Sequence, residues 1–151
     1  MPRVLIVDDH AFIRRGVRSI LESAPEWQVC GEAENGEDGI RLTAETKPDV
    51  VLMDVTMPLL NGIEATRVIR KSFPEVKVLL ISLHESSEML KNAFRAGALG
   101  YLLKTDAEQE LMKALRIVIA DGSYISPRFD QQVARDVIEE SPPHGMGDNK
   151  S

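Results

Sequence analysis

The sequence predicts an α/β fold: a doubly wound, five-stranded parallel sheet in the flavodoxin-like order 2-1-3-4-5, with five flanking helices and a short sixth helix near the C-terminal end. Three observations predict it. Four short apolar runs stop abruptly: Arg3-Val4-Leu5-Ile6-Val7 at Asp8-Asp9, Val50-Val51-Leu52-Met53 at Asp54, Val78-Leu79-Leu80-Ile81 at Ser82, and Tyr101-Leu102-Leu103 at Lys104. Unbroken apolar runs are the signature of strands buried on both faces. The segments between the runs carry helical spacing, so strand and helix alternate. Every stop is a charged or hydroxyl residue, and parallel strands bring their carboxyl ends to one edge, where ligands bind.

Each element has its own justification. After the first run, Ile13, Val17, Ile20 and Leu21 make an i, i+4, i+7, i+8 stripe that Pro25 closes. A second strand near Gln28 to Glu32 leads to Asn35-Gly36 and a helix with Ile40 and Ala44 inward, stopped before Pro48. Beyond Asp54 and the loop Met57-Pro58-Leu59-Leu60, Asn61 caps a helix holding Ile63, Val68 and Ile69, with Pro74 at its end. Ser86 to Ala96 supplies a fourth helix with Met89, Ala93 and Phe94 apolar, terminated at Gly97. Asp106 is expected to cap a fifth, whose stripe is Leu111, Leu115, Val118 and Ile119. Past Gly122 the composition changes. Ser126-Pro127 reads as a cap and first-turn proline for a sixth helix with Phe129, Val133, Ala134 and Val137 on one face. The expected division is a main domain over 1–121, a linker with a short helix over 122–140, and a disordered tail over 141–151.

Composition narrows the function classes. A chain of 151 residues can bury a proper core as one domain. The single cysteine, Cys30, excludes an intrachain disulfide and is expected to be buried and inert. A net charge of −6 is the wrong sign for holding a nucleic-acid backbone directly. No apolar stretch approaches the roughly 20 residues of a membrane span, and the N-terminus runs into a strand without a signal-peptide pattern. The cytoplasm is the expected compartment.

The shared edge concentrates chemistry. Crowded carboxylates repel, and a hard divalent cation resolves the conflict; magnesium takes oxygen ligands and keeps several waters. Asp9 and Asp54 suit direct coordination of Mg²⁺ (or Mn²⁺), with Asp8 acting through water and Thr56 offering its backbone carbonyl. With charge drawn off, a carboxylate can attack a phosphoryl group to give an acyl phosphate. Asp54 is the best nucleophile, since it ends the central strand below an open loop. Lys104 would neutralise one phosphoryl oxygen and Ser82 would hydrogen-bond another.

These residues, with Asp54-Val55-Thr56-Met57-Pro58-Leu59-Leu60-Asn61-Gly62-Ile63-Glu64-Ala65 and Gly97-Ala98-Leu99-Gly100-Tyr101-Leu102-Leu103-Lys104, resemble the receiver domain of two-component response regulators over about residues 3–121. The resemblance implies Mg²⁺-dependent transfer of a phosphoryl group to Asp54 from a phosphohistidine of a sensor histidine kinase. It also implies a switch in which Tyr101 turns inward as the Ser82 hydroxyl moves toward the phosphate, controlling homodimerisation or a transcriptional output. Such a protein is a phosphoacceptor rather than a turnover enzyme. Gly122 to Pro127 and the helix after it resemble the link to the DNA-binding domain of NarL/FixJ-type regulators, so DNA contact is expected only through a helix-turn-helix domain outside this segment. Thr105 stands where many receivers carry a cis proline, which implies ordinary trans backbone there.

Rival readings are weaker. Haloacid-dehalogenase-type phosphatases carry a second aspartate two residues after the nucleophile, where this chain has Thr56. No Gly-x-Gly-x-x-Gly follows the first strand, which argues against a dinucleotide site. Receiver-like modules that are never phosphorylated usually lack an acidic residue or the lysine, and all are present here. His84 reads as a solvated loop residue, with Thr56 on the other side of the pocket.

Overall fold

Parallel pairing of the apolar runs organises the computed structural model, which describes residues 1–141. The strands are β1 (Arg3–Val7), β2 (Gln28–Ala33), β3 (Val50–Asp54), β4 (Lys77–Ser82), β5 (Gly100–Leu103) and β6 (Tyr124–Ile125). They alternate with α1 (Ala11–Glu22), α2 (Gly36–Thr46), α3 (Gly62–Ser72), α4 (Ser87–Arg95), α5 (Ala107–Ile119) and α6 (Gln131–Glu140). The order across the sheet is β2-β1-β3-β4-β5-β6, and every pairing is parallel. The doubly wound α/β fold is as expected, but the sheet has a sixth strand.

That strand is two residues long. Tyr124 and Ile125 pair with Gly100 and Tyr101, and Ser126 Oγ then accepts a hydrogen bond from the Leu103 N–H at 2.8 Å. The outer edge of β5 would otherwise leave these buried amides unpaired. A two-residue strand among glycine, serine and proline offers no alternation for a sequence reading to catch.

Side chains on successive strand residues point to opposite faces, so each strand feeds two cores. Leu5, Val7, Val51, Met53, Val78, Leu80, Tyr101 and Leu103 pack against α2, α3, α4 and α6. Val4, Ile6, Val50, Leu52, Leu79, Ile81 and Leu102 pack against α1 and α5. This two-sided burial is why the runs carry no polar alternation.

Several local expectations hold. Asn35 and Asn61 cap α2 and α3 by accepting from Asp38 and Glu64 N–H, and Ser86 caps α4 through Met89 N–H. Gly97 ends the α4 segment at φ +106°, a conformation that a Cβ disfavours. All peptide bonds among the described residues are trans, and Lys104–Asp106 forms a 3₁₀ turn.

Others are corrected. Asp106 makes no capping hydrogen bond; its carboxylate accepts from Arg128 Nε at 3.1 Å instead. α6 begins at Gln131, capped by Asp130, because Ser126 is already committed to β5. Phe129 therefore lies before that helix, buried with its ring edge-on to Tyr101 at a centroid distance of 5.6 Å. On α2 the inward residue is Thr43 rather than Ala44, since the buried face is made of Gly36, Gly39 and Thr43, with Gly36 close against Leu60 and Gly39 against Val7. Val68 is exposed while Ala65 and Thr66 are buried. Cys30 is only half-buried, beside the Thr46 hydroxyl. The expected disorder of 141–151 falls, beyond Ser141, outside the described residues.

Two outcomes are expected. Ser126→Ala strands the buried Leu103 N–H and lowers stability by about 1–3 kcal/mol in chemical denaturation; an unchanged midpoint would show that the hydroxyl is dispensable. Val137 on α6 is buried against the α4 face, so hydrogen exchange at Val133 to Ile138 is slow in dilute protein and independent of concentration.

Candidate functional site

Sheet register assembles the site. Val7 pairs with Met53, which sets Asp8 beside Asp54, and Ser82 pairs with Leu103, which places Lys104 one step beyond. The loop after Asp54 folds back through the Gly62 N–H to Val55 carbonyl bond of 2.8 Å. A Cβ on Gly62 would lie 2.1 Å from the Asp54 carbonyl oxygen, so only glycine fits this return.

At the centre one ammonium serves two carboxylates. Lys104 Nζ stands 3.0 Å from Asp8 Oδ2 and 3.2 Å from Asp54 Oδ2, and all three side chains are nearly or wholly buried. The other Asp54 oxygen accepts from the Thr56 N–H at 3.3 Å. Burial, reinforced by the charge of Asp8, raises the Asp54 pKa; Lys104 and the Thr56 amide oppose the rise without cancelling it.

Asp9 and His10 complete the acidic side. Oδ1 of Asp9 and Oδ2 of Asp8 are buried. The His10 imidazole stands 3.2 Å from the first and the Lys104 ammonium 3.0 Å from the second. Candidate ligand atoms of Asp8, Asp9, His10 and Asp54 all lie within 4.8 Å of one another. Carboxylates gathered around one buried ammonium suit a hard divalent cation, so the residues present fit one. His10 was not singled out by the sequence, although it directly follows Asp8-Asp9. Thr56 and His84 are both exposed on the rim.

Ser82 and Tyr101 form a connected pair on the far side. Ser82 Oγ accepts from the His84 N–H at 2.9 Å, and the Tyr101 hydroxyl donates to the His84 carbonyl at 2.9 Å. Burial raises the Tyr101 pKa; the Ser82 hydroxyl works against this and the Asp54 charge adds to it.

Comparison with known proteins agrees with this geometry. The response regulator receiver domain family matches residues 4–116. The chain belongs to that family. It is 43% identical over 134 residues to the response regulator GacA of Pseudomonas aeruginosa, covering 89% of this chain and 63% of that protein. The transcriptional regulatory protein DegU of Brevibacillus brevis is 38% identical over 134 residues, 89% of this chain and 57% of that protein. Among solved structures, a LuxR-family two-component response regulator from Aurantimonas sp. superposes with a TM-score of 0.82 at 37% identity, covering 93% of this chain and 97% of that one. The chain spans about three fifths of the length of these curated relatives. As a receiver domain it is a phosphorylation switch of two-component signalling.

The raised Asp54 pKa has a direct consequence for stability. Folding favours the protonated carboxyl, so its stabilisation is present at acid pH and lost as pH rises through the folded pKa. In metal-free buffer at neutral pH, Asp54→Asn therefore melts higher than the wild type, and the gap narrows toward the ordinary carboxylate range. Thermal melts in the presence of a chelator check this; equal melting temperatures at every pH would refute it.

Proposed function

We propose that Asp54 accepts a phosphoryl group from a phosphohistidine of a sensor histidine kinase, in a reaction that requires Mg²⁺ or Mn²⁺. The observation that carries the proposal is the Lys104 ammonium within 3.2 Å of both Asp8 and Asp54 at a buried strand edge. Asp8, Asp9, Asp54 and the Thr56 backbone carbonyl would hold the cation, which when bound neutralises charge that builds on the phosphoryl oxygens.

The chain's own residues do the rest. An Asp54 carboxylate oxygen attacks phosphorus, the P–N bond to the donor imidazole breaks, and the imidazole leaves with the electron pair. Lys104 is already poised to take a phosphoryl oxygen. Ser82 Oγ accepts one hydrogen bond from His84, so its own proton is available to a second oxygen. The product is an acyl phosphate on Asp54. The domain catalyses its own modification and slow hydrolysis, with no separate turnover substrate. Thr56 and His84 flank the route by which water would reach the acyl phosphate.

Movement of Ser82 toward the phosphate would pull the His84 peptide and release the Tyr101 hydroxyl. Because the Tyr101 ring abuts Phe129, the segment leading to α6 senses that change. The output is homodimerisation or control of a DNA-binding domain outside residues 1–141, and this domain does not grip nucleic acid itself. Among the described residues no helix is long and apolar enough to cross a membrane, and the proposed compartment is the cytoplasm.

Intact-mass measurement after incubation with acetyl phosphate and Mg²⁺ is expected to add one phosphoryl group to the wild type. Chelation or Asp54→Asn abolishes the adduct, and an undiminished adduct on the variant would move the acceptor elsewhere. Lys104→Ala is expected to keep partial labelling yet lose the change in molar mass that beryllofluoride induces by light scattering. Equal behaviour of variant and wild type would remove Lys104 from the switch.

A further inference from the structure

His10 lies within the acidic cluster although neither the strand-end pattern nor the proposed phosphotransfer uses it. Its Nδ1 lies 3.1 Å from Asp8 Oδ1 and 3.2 Å from Asp9 Oδ1, so one ring nitrogen bridges the two carboxylates at the entrance to the site. The backbone holds it there: the His10 N–H donates to the same Asp8 oxygen at 2.9 Å. Its side chain is 60% exposed against 0% for Asp8, so the ring can adjust where the carboxylate cannot.

Distances favour a shared ion. Ligands about 2.1 Å from a six-coordinate metal lie ~3.0 Å apart when adjacent and ~4.2 Å when opposite. The four ligand atoms fall within 4.8 Å of one another, close enough for modest side-chain movement to bring them toward one shell. Two carboxylate oxygens in that cluster are buried, Asp8 Oδ2 against the Lys104 ammonium and Asp9 Oδ1 against the His10 ring. A cation would add positive charge where one ammonium serves two carboxylates.

We propose that His10 Nδ1 is a direct ligand of the ion held by Asp8, Asp9 and Asp54, giving the site a nitrogen donor that favours first-row transition-metal divalents over Mg²⁺. The proposal rests on the divalent-ion reading of this site. Imidazole nitrogen strengthens binding along the series from Mn²⁺ toward Ni²⁺, Cu²⁺ and Zn²⁺, whereas magnesium prefers oxygen and retains its waters. On binding, the ring proton resides on Nε2 and the Nδ1 lone pair turns from the carboxylates to the metal. Phosphorylation then depends on which divalent ion is present as well as on the donor.

Pulsed electron paramagnetic resonance of the Mn²⁺-loaded full chain tests this. The wild type is expected to show nitrogen modulation from a coordinated imidazole, and His10→Gln to lose it while still binding Mn²⁺. Calorimetric titration with Ni²⁺ and Mg²⁺ is expected to show the Ni²⁺-to-Mg²⁺ affinity ratio falling about tenfold or more in the variant. Mn²⁺ binding without nitrogen modulation, or an equal loss for both ions, overturns the inference and leaves the carboxylate site standing. If the wild type binds neither Mn²⁺ nor Mg²⁺, the site reading itself falls and takes the inference with it.

Discussion

One ammonium held between two carboxylates at a buried strand edge is the constraint on which the rest of the structure depends. Lys104 follows β5, Asp8 follows β1 and Asp54 ends β3, so three strands must stop in register for the charges to meet. β4 lies between β3 and β5 and contributes Ser82 at the same level. A one-residue slip in any strand would turn the end residue to the opposite face and leave an unpaired charge in the interior. Sheet register and site chemistry therefore stand or fall together.

The same cluster is held short of electrostatic balance. Asp8, Asp9 and Asp54 face one lysine and one histidine, and burial together with the Asp8 charge raises the Asp54 pKa. Burying like charges is unfavourable, and a fold can maintain it only because many core contacts surround the edge. Any group that adds positive charge relieves the conflict, and a phosphoryl group that engages Lys104 and Ser82 redistributes it. The unrelieved charge makes the local arrangement sensitive to what binds.

How much of this was legible follows from the kind of signal each residue carries. Central strands buried on both faces announce themselves as apolar runs, and their polar stops place Asp8, Asp54, Ser82 and Lys104 at one edge without coordinates. β6 has no such signal, because two residues cannot show a period and its pairing depends on the Ser126 hydroxyl reaching Leu103. Phe129 matched helical spacing with Val133 and Val137, but Asp130 starts the helix after it and sends the ring to Tyr101 instead. Thr43 faces inward because its hydroxyl is satisfied by the Gly39 carbonyl, a local bond that hydropathy does not count. His10 was overlooked for a related reason. An exposed histidine gains meaning only from the two carboxylates its ring touches.

The sixth strand also sets the unit in which such a domain can be recombined. Residues 124–126 complete the edge of the sheet, Phe129 closes over Tyr101, and Val137 covers the α4 face. A gene fusion that joined a foreign effector directly after α5 would open that edge and leave the Tyr101 ring without its neighbour. Exchange beyond Glu140 keeps the edge, the aromatic pair and the helix together. Modular shuffling of this chain thus has a natural seam after α6, and the stretch that reads as connecting sequence travels with the receiver.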